Sequence, residues 1–224
     1  MELLSSDQSK IGRLSFLKYS GLALASTAII VQSGCKKDDS NGEGVNLGSG
    51  DTGILNYAYA LEQLEAAFYT KVIATPYTNI SAAEGQLLSD IQKHEVAHRE
   101  FFKTALGSAA IGALEVDFSS IDFTSRTSVL NAAKAFEDLG VSAYNGAGKL
   151  IVTPAYLLLA GKIVSVEARH AAAIRSMLLP GSNSFAGTDV VDANGLDGAR
   201  TPAQVLAIAG TYLKTAIDAS HLPS

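Results

Sequence analysis

The chain has 224 residues, 47% of them apolar, with 17 Lys and Arg against 22 Asp and Glu and a formal charge of −5. That is enough for one domain plus a targeting segment. The basic residues are scattered and form no basic face, which argues against a nucleic-acid partner, and a single cysteine, Cys35, rules out an intrachain disulfide.

In chain order, Lys10, Arg13 and Lys18 precede an uncharged apolar run from Tyr19 to Gly34. The run has the length of a signal-peptide core and falls short of the roughly 20 residues that span a bilayer. Residues 1–34 are therefore expected to be a signal peptide and the protein to be exported. Ser33-Gly34-Cys35, followed by the polar stretch Lys36 to Gly50, resembles a bacterial lipoprotein cleavage site and tether. On that resemblance Cys35 carries lipid, residues 35–51 form a flexible tether, and the protein sits in the periplasm or cell envelope of a bacterium, held to the membrane. Gly12 to Lys18 also resembles a twin-arginine signal, with Leu14 where the second Arg would stand. The export route stays open.

After the tether, apolar periodicity runs from Gly53 to Ala74 and stops at Pro76, giving a first helix. Ser81 followed by Glu84 has the form of a capping box and opens a second helix, which should reach Leu106 and end at Gly107. Residues 108–125 hold no sustained period and read as a long crossover. A third helix is expected over Arg126 to Ile151. Thr153-Pro154 then gives an N-cap with Pro at the first helical position, starting a fourth helix to Leu179 before Pro180-Gly181. Residues 180–200 are rich in Gly, Asn, Asp and Ser and read as loop, and Thr201-Pro202 starts a shorter fifth helix expected to reach Ala219. Strand signals are absent. The expected fold is all-α: two helical hairpins over 52–180, joined by a long crossover so that the second and third helices run parallel, followed by loop and a C-terminal helix over 181–224.

One arrangement occurs twice. Glu62 is followed seven residues later by Tyr69 and then by Glu95-x-x-His98; Glu137 is followed seven residues later by Tyr144 and then by Glu167-x-x-His170. On the second helix Leu88, Ile91, Glu95, His98, Phe102 and Ala105 step by threes and fours, so Glu95 and His98 lie on the apolar stripe. Ile163, Glu167, His170, Ile174 and Met177 repeat this on the fourth helix. Glu62 and Glu137 lie on the core stripes of the first and third. A buried, unpaired carboxylate costs several kcal/mol, roughly, even after relaxation. No Lys or Arg repeats on these stripes, whereas two divalent metals would neutralise four carboxylates and use both imidazoles. His94 projects about a quarter turn from Glu95 and is expected at the surface, and His221, in the tail, has no assigned role.

At these residues the chain resembles the ferritin-like superfamily of four-helix di-metal carboxylate proteins, which includes bacterioferritin, rubrerythrin and manganese catalase. The segments Leu61-Glu62-Gln63-Leu64-Glu65-Ala66-Ala67-Phe68-Tyr69 and Gly140-Val141-Ser142-Ala143-Tyr144 look like its exported, desiccation-related group. The resemblance implies a four-helix bundle in which Glu95 and Glu167 bridge two metals, His98 and His170 bind one each, and Glu62 and Glu137 are terminal ligands. Glu65 rivals Glu62, although the spacing to tyrosine favours Glu62. Tyr69 and Tyr144 would hydrogen-bond the carboxylates or bridge across the site.

Oxygen-rich ligands with one imidazole per metal suit two Fe or two Mn ions better than zinc or copper. The expected activity is redox chemistry with dioxygen or peroxide, of oxidase, ferroxidase or catalase type, in envelope stress protection. The alternative is a tethered structural or binding module of the desiccation-related type without catalysis. A homo-oligomer is compatible with the sequence, and a lipid tether would hinder assembly of a closed storage cage.

Overall fold

A computed structural model describes residues 44–224. The expected signal peptide, Cys35 and the start of the tether lie outside the described residues.

Among the described residues five α-helices follow one another in the order the sequence implies: α1 Gly50–Ala74, α2 Ala82–Leu106, α3 Arg126–Gly148, α4 Pro154–Leu178 and α5 Pro202–Ala209. The local signals act much as expected. Ser81 Oγ accepts the N–H of Glu84, and Gly107, at φ 55°, ends α2 in a conformation that favours glycine. The other half of that expected capping box is not made, because the Glu84 carboxylate instead takes Arg126, 42 residues away. Both halves are present at α5, between Thr201 and Gln204. Asp51, in the first turn of α1, accepts the N–H groups of Val152 and Thr153, at 2.8 Å each, and so ties the start of α1 to the start of α4.

Side-chain contacts fix the helix directions. Asn56 of α1 meets Ala109 and Ile111, just past the end of α2, while Thr70 meets Gln92, so α1 and α2 are antiparallel. Arg126 at the start of α3 donates to the Met177 carbonyl at the end of α4, which makes the second hairpin antiparallel too. Tyr69 of α1 meets Glu137 of α3, and Glu62 meets Tyr144, so α1 and α3 oppose. It follows that α2 and α3 run parallel, and residues 108–125 must return along the length of the bundle to join them. Buried amides on α1 hold this crossover: Asn56 Nδ2 donates to the carbonyls of Leu47 and Ala109, and Gln63 Oε1 accepts the Leu114 N–H. Burying these amides is tolerable because the backbone satisfies them.

Phe68 lies at the centre of the main core, edge-on to Tyr69, Phe118 and Phe136 with centroids 5.0, 5.9 and 4.9 Å away. Three sequence expectations need correction. The last residues of the tether are packed: Leu47 is fully buried, and Val45–Asn46 (β1) pairs in parallel with Ile217–Asp218 (β2), a small sheet where no strand was expected. The fifth helix stops at Ala209 rather than Ala219, because the apolar residues beyond it are used one at a time. Tyr212 packs on Phe136 at 4.7 Å, Leu213 bridges to Val116, and Ile217 belongs to β2. Helix α3 ends at Gly148, not Ile151, in turns that prepare the extended Thr153 before Pro154.

Candidate metal centre

Glu62, Glu95, Glu137 and Glu167 are each fully buried, one from each long helix, with His170 buried beside them and His98 nearly so. Their ligand atoms gather into two quartets. Glu62, Glu95, His98 and Glu167 each offer one such atom, all within 4.8 Å of one another; Glu95, Glu137, Glu167 and His170 do the same. Glu95 and Glu167 belong to both. Glu65, the rival on α1, is buried but outside both quartets, with its carboxylate facing Gly140.

The shared glutamates are arranged symmetrically. Glu167 turns Oε1 to His98 Nδ1 at 2.8 Å and Oε2 to His170 Nδ1 at 3.5 Å, while Glu95 turns Oε1 to His170 Nδ1 at 2.7 Å and Oε2 to His98 Nδ1 at 3.5 Å. Glu62 Oε2 and Glu137 Oε2 lie 3.5 Å from His98 and His170 respectively. Short as some of these distances are, the groups are not aligned as hydrogen bonds. Apart from the Tyr57 hydroxyl, every buried side-chain nitrogen or oxygen lacking a hydrogen-bond partner among the described residues belongs to these six residues. Buried polar atoms are ordinarily paired. Carboxylate oxygens and imidazole nitrogens that converge without hydrogen-bond alignment between them describe the donor set of a cation, and carboxylate with imidazole suits a divalent metal. These groups could hold a metal.

The tyrosines act across the bundle. Tyr69 donates to Glu137 Oε1 and Tyr144 to Glu62 Oε1, each at 2.5 Å, so each phenol serves the glutamate of the opposite hairpin and leaves Oε2 free. Seven-residue spacing placed Glu and Tyr on one helix face but could not show the exchange of partners. His94 is exposed as expected, yet it is not idle: its ring stacks on His170 at 5.2 Å, with Nδ1 2.9 Å from His170 Nε2. Such an outer partner fixes which nitrogen of a ligating imidazole faces the centre. Sequence reasoning missed it because the contact crosses between α2 and α4.

Electrostatics reflect the crowding. Burial, then the charge of Glu167, holds Glu62 well above the usual carboxylate range, and burial with the neighbouring glutamates does the same to Glu65. For Glu95 burial acts the same way, but His170 and His98 outweigh it and keep that carboxyl low. Burial works against protonation of His98 and His170, and the surrounding carboxylates outweigh it and push both upward. Burial, joined by Glu137 and Glu62 respectively, raises Tyr69 and Tyr144 well above the ordinary phenol range.

A four-helix bundle with a carboxylate and imidazole cluster at its centre defines the class. The chain belongs to the ferritin-like domain family, whose model matches residues 50–180. No curated protein matches it.

Proposed function

We propose that this is a two-metal oxidoreductase, holding two Fe or two Mn ions and acting on dioxygen or peroxide. The observation that carries the reading is the set of unpartnered buried donor atoms divided between two quartets with Glu95 and Glu167 in common. Two redox-active ions would supply the two electrons that reduction of dioxygen or peroxide requires.

The rest belongs to the chain's own residues. Glu95 and Glu167 each face both histidines and would bridge the pair, with Glu62 and Glu137 at its two ends. Tyr69 and Tyr144 orient the end carboxylates and keep their phenolic protons, so each holds a proton at Oη beside the reacting region. The surrounding bundle shields the centre from bulk water and strengthens its electrostatics.

The location that goes with this reading is outside the cytoplasm, on lipid carried by Cys35. Among the described residues no helix is long and apolar enough to cross a membrane. Replacing Cys35 with Ala should move the protein from the membrane fraction to the soluble fraction of the envelope; unchanged fractionation would remove the lipid.

The activity is tested by loading metal-free protein with Fe(II) or Mn(II) under anaerobic conditions, then following oxygen uptake and peroxide loss. Consumption of either, abolished in Glu95→Ala/Glu167→Ala, is expected. Protein that binds metal yet consumes neither would be a structural module.

A further inference from the structure

The internal repeat gives each half of the bundle a built-in comparison. In the register that lays Glu62 on Glu137 and Glu95 on Glu167, Phe68 corresponds to Ala143, Val72 to Ala147, Leu88 to Ala160 and Met177 to Ala105. Around Tyr69 the large members of these pairs fill the space, with Phe68 and Leu88 fully buried and Phe68 in contact with the Tyr69 ring. Around Tyr144 all four positions are alanine, and a cavity of about 30 Å³ remains. Its wall is apolar almost throughout, with Leu61, Phe102 and Tyr144 at the inner side and Ala105 and Ala160 towards the surface. Tyr144 lines the cavity with its side chain and donates its hydroxyl to Glu62.

The two ends of the centre also differ in their outer contacts. His170 has His94 against its far nitrogen, while the position corresponding to His94 on α4 is Val166. The His98 end therefore lacks that imidazole and has an apolar void beside it. A void of this size has room for one water-sized molecule, but water needs two to four polar partners and this wall offers almost none. Peroxide, a donor and acceptor at both ends, would lose its hydrogen bonds there, whereas an apolar diatomic would lose none.

We infer that this cavity is the docking site for dioxygen on its way to the His98 end of the centre, which makes dioxygen rather than peroxide the oxidant. The inference rests on the two-metal reading and narrows it.

Xenon is the probe, because it occupies dry apolar cavities and needs no metal. Xenon-pressurised metal-free protein should hold xenon beside Tyr144 and none beside Tyr69. Ala160→Leu and Ala147→Val copy the residues of the filled half, so each introduces a side chain the bundle already accommodates at the corresponding place. In these variants xenon should be lost and KM for dioxygen, measured with excess Fe(II) as the reductant, should rise about tenfold or more, while an unchanged number of bound metal ions shows that the centre is intact. Wild-type protein without xenon beside Tyr144, or a variant that loses xenon with KM for dioxygen unmoved, overturns the inference. Xenon bound by protein that takes up no Fe or Mn overturns the two-metal reading, and with it the role given to dioxygen, while leaving the cavity itself in place.

Discussion

Tyr69 and Tyr144 show how much a single hydroxyl can decide. Each occupies one oxygen of an end glutamate and so fixes the direction of the other. Tyr144→Phe removes that constraint from Glu62 alone. Metal affinity at the His98 end should then fall about 10–100-fold, with the His170 end less affected; Tyr69→Phe should show the reverse, and titration against a competing chelator reads both. Arg175 is a second decisive residue. It is buried to 3% exposure and forms paired bonds to Asp138 on α3 and to Asp189 in the loop that follows α4. Removing it in Arg175→Met should cost about 1.5–3 kcal/mol in urea denaturation near neutral pH. Arg175 holds the Asp189 carboxyl down at about 2 against an ordinary 3.8. A group depressed in this way adds stability above its unfolded value and loses it as pH falls through the folded one. The contribution should be complete above pH about 4 and fade towards pH about 2, and exposure of Asp189 keeps it small. The difference between wild type and Arg175→Met should therefore narrow as the solution is acidified.

At the scale of elements, two contacts carry sharp expectations. Ser81 caps α2 through the Glu84 N–H, and Ser81→Ala should lower stability by about 1 kcal/mol. Gly146 lies where α3 meets the strand of chain leading into α5. An added Cβ there would come 1.7 Å from the Arg200 carbonyl oxygen, and the Arg200 N–H is bonded to the Ser142 carbonyl. Gly146→Ala should destabilise by about 1–3 kcal/mol or displace the α5 segment, to be checked by thermal unfolding together with proteolysis of the 180–200 loop.

The same elements show what sequence can and cannot reveal. Ser81, Gly107, Pro154 and Thr201 act on their own neighbourhoods, so the starts of α2, α4 and α5 and the stop of α2 were legible, whereas the ends of α3 and α5 were not. The glutamates and histidines were legible because helical period alone places them on apolar stripes. Partners distant in sequence were not: Glu84 with Arg126, His94 with His170, Val45 with Ile217. Apolar residues from Tyr212 to Ala219 imitate a helix only because each is needed at a different place in the fold. The cavity beside Tyr144 falls between these cases, since its alanines stand in the sequence but gain meaning only against the filled half.

For the molecule as a whole, the two hairpins meet at a centre made of groups that would repel or go unpaired without compensation. Metal-free protein should stay folded by retaining protons on that cluster, and metal should displace them and add stability. At a free concentration a thousandfold above Kd the gain per site is about 4 kcal/mol, visible as a rise in Tm on adding Mn(II) and its reversal by chelator. No change in Tm at saturating metal would mean that the cluster is satisfied some other way.

The most direct measurement is metal stoichiometry. Anaerobic titration of the metal-free protein from Lys36 onwards, which keeps Leu47 and the β1 pairing, with Fe(II) or Mn(II), followed by elemental analysis, should give two ions per chain, one for each quartet. His98→Ala should lose one of them and Glu95→Ala/Glu167→Ala both, while circular dichroism reports an intact bundle. A folded double variant that still holds two ions, or wild-type protein that holds none, would contradict the account.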